Sequence, residues 1–117
     1  KVTDFYMACN KKATTMRFAS YVFDRHKAQL AKLSDTAQLE AYFKTLGLDR
    51  MFLDYAARVD GIKPAKGEWE LSKEYMMPQI NGLVGRYSKV GEEAFYRFYM
   101  PIDDAIKAAL NNPSVVE

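Results

Sequence analysis

The chain has 117 residues, 49% hydrophobic and 27% charged, with a net charge of +2. That is one domain's length and a composition that buries a core, which excludes intrinsic disorder. The small net charge argues against a nucleic-acid partner, and no run approaches the roughly 20 apolar residues of a membrane span.

The charge is unevenly spread. Residues 1–33 hold seven Lys or Arg against two Asp, a net of +5, and residues 34–117 carry the balancing −3. The basic excess therefore sits on the first helical region. The chain begins at Lys1 rather than Met. That start is compatible with a cleaved leader and an envelope or secreted location.

No glycine or proline occurs before Gly47. With these breakers missing and Ala, Lys, Leu, Met, Gln and Arg abundant, residues 3–32 read as one long helix. Thr3 caps it and Asp4 complements its dipole. Phe5, Cys9, Met16, Ala19, Phe23, His26 and Leu30 recur along one stripe. Lys12 on that stripe, with Asn10 and the Thr14–Thr15 pair nearby, predicts a kink or break near residues 10–13.

Ser34 or Asp35 caps the next helix, whose apolar face is Leu39, Tyr42, Phe43 and Leu46. Gly47 ends it in a left-handed cap. Asp49 caps a third helix that buries Met51, Phe52, Tyr55, Ala56 and Val59, and Gly61 stops it. Ile62–Glu70 reads as linker. A fourth helix covers about 72–88, with Tyr75–Met77 set apart as a separate turn by Pro78. Gly82 and Gly85 stand three apart, a spacing that lets another backbone approach. A short fifth helix follows over 92–99. Pro101 opens a sixth that runs to Leu110 and stops at Asn111–Pro113. The expectation is an all-α, single-domain bundle of five or six helices over 1–117, a long first helix followed by shorter ones. Its core should include Phe5, Phe23, Leu30, Phe43, Phe52, Leu83 and Ile106.

The polar residues carry no catalytic signature. The lone His26 lacks the companion ligands of a metal site and reads as a semi-buried structural histidine. The lone Cys9 reads as a buried thiol. Glu92–Glu93 and Asp103–Asp104 fall in first helical turns, where acids complement the dipole. Glu40–Lys44, Asp54–Arg58, Glu93–Arg97 and Asp103–Lys107 have the i, i+4 spacing of solvated faces. No phosphate loop, nucleophile elbow or paired-cysteine motif occurs. We expect no enzyme, no metal and no cofactor.

The aromatic residues are more informative, sixteen in all and eight of them Tyr. Phe18, Tyr21 and Arg25 lie away from the main stripe of the first helix. Phe95, Tyr96, Phe98 and Tyr99 crowd around Arg97. Two readings compete. Either the first helix is sandwiched and both its sides are core, or the rings form a binding surface. Tyr and Arg are favoured at hot spots because they join apolar area to a polar handle.

The function expected is a non-catalytic protein-binding module of adaptor, inhibitor, immunity or secretion-accessory type. It would use Phe18, Tyr21, Arg25, Tyr96 and Tyr99, with another protein or a second copy as partner. The alternatives are nucleic-acid binding through the basic N-terminal helix, or a carrier of small apolar ligands with a Tyr/Met-lined pocket.

Overall fold

A computed structural model describes residues 2–111, which form six helices and no strand. Helices α1 (Asp4–Lys11) and α2 (Thr14–Leu30) replace the single long first helix. The break falls inside the expected window. Ala13 adopts φ 54°, a left-handed conformation that no residue of a continuous helix can hold. Thr3 caps α1 as expected, its hydroxyl accepting from the Tyr6 N–H at 3.2 Å.

The break resets the helical phase, and this corrects the stripe. Phe18, Ala19 and Val22 are the buried residues of mid-α2, whereas Met16 is 59% exposed and Phe23 is only half-buried. The other expected core residues, Phe5, Leu30, Phe43, Phe52, Leu83 and Ile106, are buried.

Helix α3 (Thr36–Leu46) starts on Asp35, whose carboxylate accepts from the Gln38 N–H at 2.8 Å. The Gln38 amide oxygen reaches back to the Ser34 N–H at 2.8 Å. Gly47 (φ 65°) closes α3 and opens α4 (Leu48–Asp60) at once, which makes a sharp elbow. Asp49 is therefore a first-turn acid and not the cap. Gly61 ends α4.

Helix α5 (Glu68–Gly85) starts earlier than expected and runs unbroken through Pro78. Tyr75–Met77 is no separate turn. Pro78 withholds one N–H from the ladder, and burial of Ser72, Met76, Gln79, Ile80 and Leu83 around it holds the helix together. At 18 residues α5 is longer than α1 or α2 and packs against α1, α2 and α3.

Helix α6 covers residues 91–111 and replaces the expected fifth and sixth helices. It comprises Gly91–Ala94, a π turn over Phe95–Tyr99, and Met100–Asn111. The Met100 N–H donates to the Phe95 carbonyl, five residues back. A proline ring collides with the carbonyl four residues earlier in a regular helix. The widened turn before Pro101 lets the helix continue through it. The stop expected at Asn112 and Pro113 lies outside the described residues.

Gly82 and Gly85 admit α6 closely, as their spacing suggested. A Cβ on Gly82 would lie 2.9 Å from the Tyr99 amide nitrogen. One on Gly85 would lie 2.9 Å from the Ala94 Cβ and 2.7 Å from Leu39. The order of these contacts sets α6 antiparallel to α5. Residues 94 and 99 are five apart, and only a π turn brings that spacing to one side of a helix.

Candidate functional site

The five aromatic and basic residues singled out in the sequence fall into two separate groups. Phe18 is fully buried and belongs to the core, packed at 5.3 Å on Phe52 and 5.4 Å on Tyr55. It offers nothing to a partner. Tyr21 stacks over Phe18 and meets Tyr55 at 5.2 Å, and the Arg25 guanidinium sits 4.4 Å above the Tyr21 ring. This pair borders the α4 side of α2. Tyr96 and Tyr99 belong instead to α6.

The π turn organises its rings in layers. Phe95 and Tyr99 stack at 4.7 Å, and the Arg86 guanidinium caps Phe95 at 4.4 Å. Tyr99 is half-buried against Gly82, and that burial raises its phenol pKa. Tyr96 stands at the edge of Phe95, 6.0 Å away, and is 65% exposed. The turn thus presents one large ring to solvent from a braced platform.

A second exposed apolar area lies between α2 and α5. Met16 and Tyr87, at 59% and 48% exposure, flank a shallow cavity of about 180 Å³ that Ala19 and Leu83 also line. Arg17 and Arg86 border it, and no carboxylate does. The sequence stripe had placed Met16 in the core, so this area was not anticipated.

A third feature is a groove of about 400 Å³ between the α3–α4 elbow and α5. Phe43, Leu48, Met77, Pro78 and Phe98 form its apolar part. Asn81 lines it too, and its carboxamide oxygen is buried without a hydrogen-bond partner, the one such side-chain atom found among the described residues. Leaving a buried acceptor unpaired costs about 1–3 kcal/mol. The signal for it was an amide side chain within the apolar run Ile80–Leu83.

A larger cavity, about 660 Å³, lies where the start of α1 meets α5. Thr3, Tyr75 and Glu68 in its lining are already engaged with one another and with nearby backbone. The Thr3 N–H donates to the Tyr75 phenol at 2.8 Å, and Glu68 accepts from the N–H groups of Phe5 and Ala65 at 3.1 and 2.9 Å. The cavity lined by Tyr6, Met16 and Tyr99, the nearest to a Tyr/Met pocket, measures about 70 Å³. Ligand sites typically span some 300–1,000 Å³.

Several of the remaining polar residues have structural partners. Cys9 is fully buried, and burial pushes its thiol up to about 12. The Tyr42 phenol meets His26 Nδ1 at 3.0 Å. The Asp60 carboxylate accepts from Thr14 at 2.6 Å and pairs with Arg17, and these contacts hold its pKa below the ordinary carboxylate value. Asp54–Arg58 and Asp103–Lys107 pair at 3.4 and 3.0 Å. Arg97 turns away from Glu93 to the Thr36 hydroxyl at 2.8 Å. Among the described residues no three His, Cys, Asp or Glu side chains converge as metal ligands, and no helix is long and apolar enough to cross a membrane.

Compared with protein-family models, curated proteins and solved structures, the chain matches none.

Proposed function

We propose that the chain is a non-catalytic protein-binding module that engages its partner through α6. The observation that carries this reading is Tyr96, 65% exposed on a π turn braced by the Arg86–Phe95–Tyr99 layers. A large ring on a rigid support gives up little side-chain freedom on binding, which is why such rings anchor interfaces. π turns also recur at functional sites. Tyr21 with Arg25 is a second, smaller patch on the other side of α2.

Two arrangements weigh against the alternatives. Of the N-terminal cations, Arg17 pairs with Asp60, Arg25 lies over Tyr21, and Lys12 points at the Asp60 carbonyl, 3.5 Å away. These contacts leave a weak array for phosphates. The 70 Å³ volume of the cavity lined by Tyr6, Met16 and Tyr99 leaves a ligand little room at that place.

The test is a photo-crosslinking residue at position 96, with position 54 on α4 as control. A partner, or a second copy, should crosslink from 96 and not from 54. Tyr96→Ala should then weaken its binding by about 2 kcal/mol, the scale of a hot spot, with melting unchanged. Equal capture from both positions, or salt-sensitive association with oligonucleotides alone, would overturn the reading.

A further inference from the structure

Arg86 lies where two exposed apolar areas meet. Its guanidinium sits 4.4 Å from the centre of the Phe95 ring, whose edge meets Tyr96. The same residue borders the shallow cavity that Met16 and Tyr87 flank. Tyr87 is braced, as Tyr96 is. Its ring packs 4.8 Å from that of Phe23, and its phenol lies 3.4 Å from the Ser20 hydroxyl. Two supported rings and an exposed methionine thus gather around one arginine.

The charge at this place is one-sided. Arg17 and Arg86 line the cavity and no carboxylate does. Arg17 is already paired with Asp60, whereas Arg86 forms no ion pair among the described residues. Its contact with the Phe95 ring consumes none of the five N–H donors of the guanidinium. Such a fork takes a carboxylate through two parallel hydrogen bonds. One cation of this kind suits one carboxylate and is too few for a row of phosphates. The cavity's 180 Å³ falls short of the roughly 300–1,000 Å³ of a small-molecule site, while the exposed side chains of Met16 and Tyr87 extend the contact beyond it. The occupant that fits is a carboxylate side chain with apolar neighbours.

We propose that this surface binds an acidic segment of a partner protein, one Asp or Glu pairing with Arg86 while its apolar neighbours lie on Met16 and Tyr87. The inference rests on the protein-binding reading above. It adds to the α6 contact a neighbouring area, joined to it through Arg86, and the chemistry of what is bound there.

The experiment pans a display library of random 12-residue peptides on the intact chain and measures synthetic copies of the selected peptides by fluorescence anisotropy. The selected peptides should carry Asp or Glu beside apolar residues. Changing that acid to its amide should weaken binding about ten-fold, the scale of a charge-assisted pair. Arg86→Gln should cause a similar loss. Combining the two changes should add little, because both remove the same pair. Arg86→Lys keeps the charge without the fork and should recover only part of the affinity. The amide peptide needs no altered protein, so the result stands even where an Arg86 variant loosens Phe95. Met16→Ala should weaken the same peptides with melting unchanged, and Arg58→Gln on α4 should not. The proposal falls if no peptide is selected, if the amide peptides bind as well as the acids, if binding is indifferent to Arg86→Gln, or if the chain binds vesicles of anionic phospholipid in place of peptides. Peptides lost on Tyr96→Ala and kept by Arg86→Gln would overturn this inference and leave the α6 reading standing. Peptides that need the acid and Arg86 and ignore Tyr96→Ala would uphold it and overturn the α6 reading.

Discussion

Gly82 and Tyr99 meet backbone to backbone. A Cβ on Gly82 would lie 2.8 Å from the Tyr99 Cβ and 2.9 Å from its amide nitrogen. Neither atom is the end of a flexible side chain, so neither can step aside. Gly82→Ala gains about 1 kcal/mol of helix propensity and should still destabilise the protein by about 1–3 kcal/mol through overpacking. Urea unfolding of the variant checks this. A net gain in stability would mean that α6 is not seated on α5 as described.

Ala13 holds a left-handed conformation that favours glycine. Relieving that strain at an exposed junction should make Ala13→Gly more stable by about 0.5–1 kcal/mol, although glycine usually weakens helical segments. Thermal unfolding read at 222 nm distinguishes the signs. A drop would place residue 13 inside a continuous helix.

Phe52 is the hub of the aromatic core, touching Phe5 at 6.2 Å, Phe18 at 5.3 Å and Trp69 at 6.1 Å. Phe52→Ala should cost about 3–5 kcal/mol. Phe43→Ala, at the groove wall, should fall at or below the lower end of that range because the space it leaves opens to solvent. Denaturant titrations with unchanged m-values would confirm that the loss is in the native state.

Asp60 makes stability depend on pH in a defined direction. Its folded pKa lies below the unfolded 3.8, with the Thr14 hydroxyl as the largest cause and Arg17 adding to it. The deprotonated form is therefore favoured by folding. The contribution is present above about pH 4–5 and is lost as the pH falls through the folded value. Asp60→Asn should melt below the parent at pH 7 and match it more closely near pH 3. An unchanging gap across that range would assign the effect to shape and not to charge.

Much of the secondary structure was legible because its signals are local. Thr3, Asp35, Gly47 and Gly61 act at the ends where their chemistry is needed, and the Gly82–Gly85 spacing announced a close contact. What was not legible depends on phase. One left-handed residue at position 13 shifts the buried face of α2, so Met16 lies at the surface and Phe18 in the core while Ala19 and Leu30 stay buried. Nothing in the identity of Ala13 signals this, since alanine is the best helix former. Pro78 and Pro101 misled in the opposite sense. Each looks like a boundary, but tertiary burial carries α5 through the first, and a widened turn carries α6 through the second. The candidate sites shared this fate. Tyr96 was found because it is aromatic and crowded, whereas Asn81 becomes conspicuous only when its missing partner is seen.

The π turn of α6 has an arithmetic consequence. It holds one residue more than the regular helix needs between Ala94 and the helix's last stretch. Each residue advances an α-helix by 100°. Deleting one residue from 95–99 would leave a perfectly regular helix and keep Ile106, now buried, facing the core, because the widened turn has already absorbed that residue's rotation. A related chain without the extra residue would have to carry its apolar positions after 99 displaced by one. In an alignment the two would differ by a single gap at the most aromatic segment of the protein, and the hydrophobic pattern downstream would show whether the gap had been placed correctly.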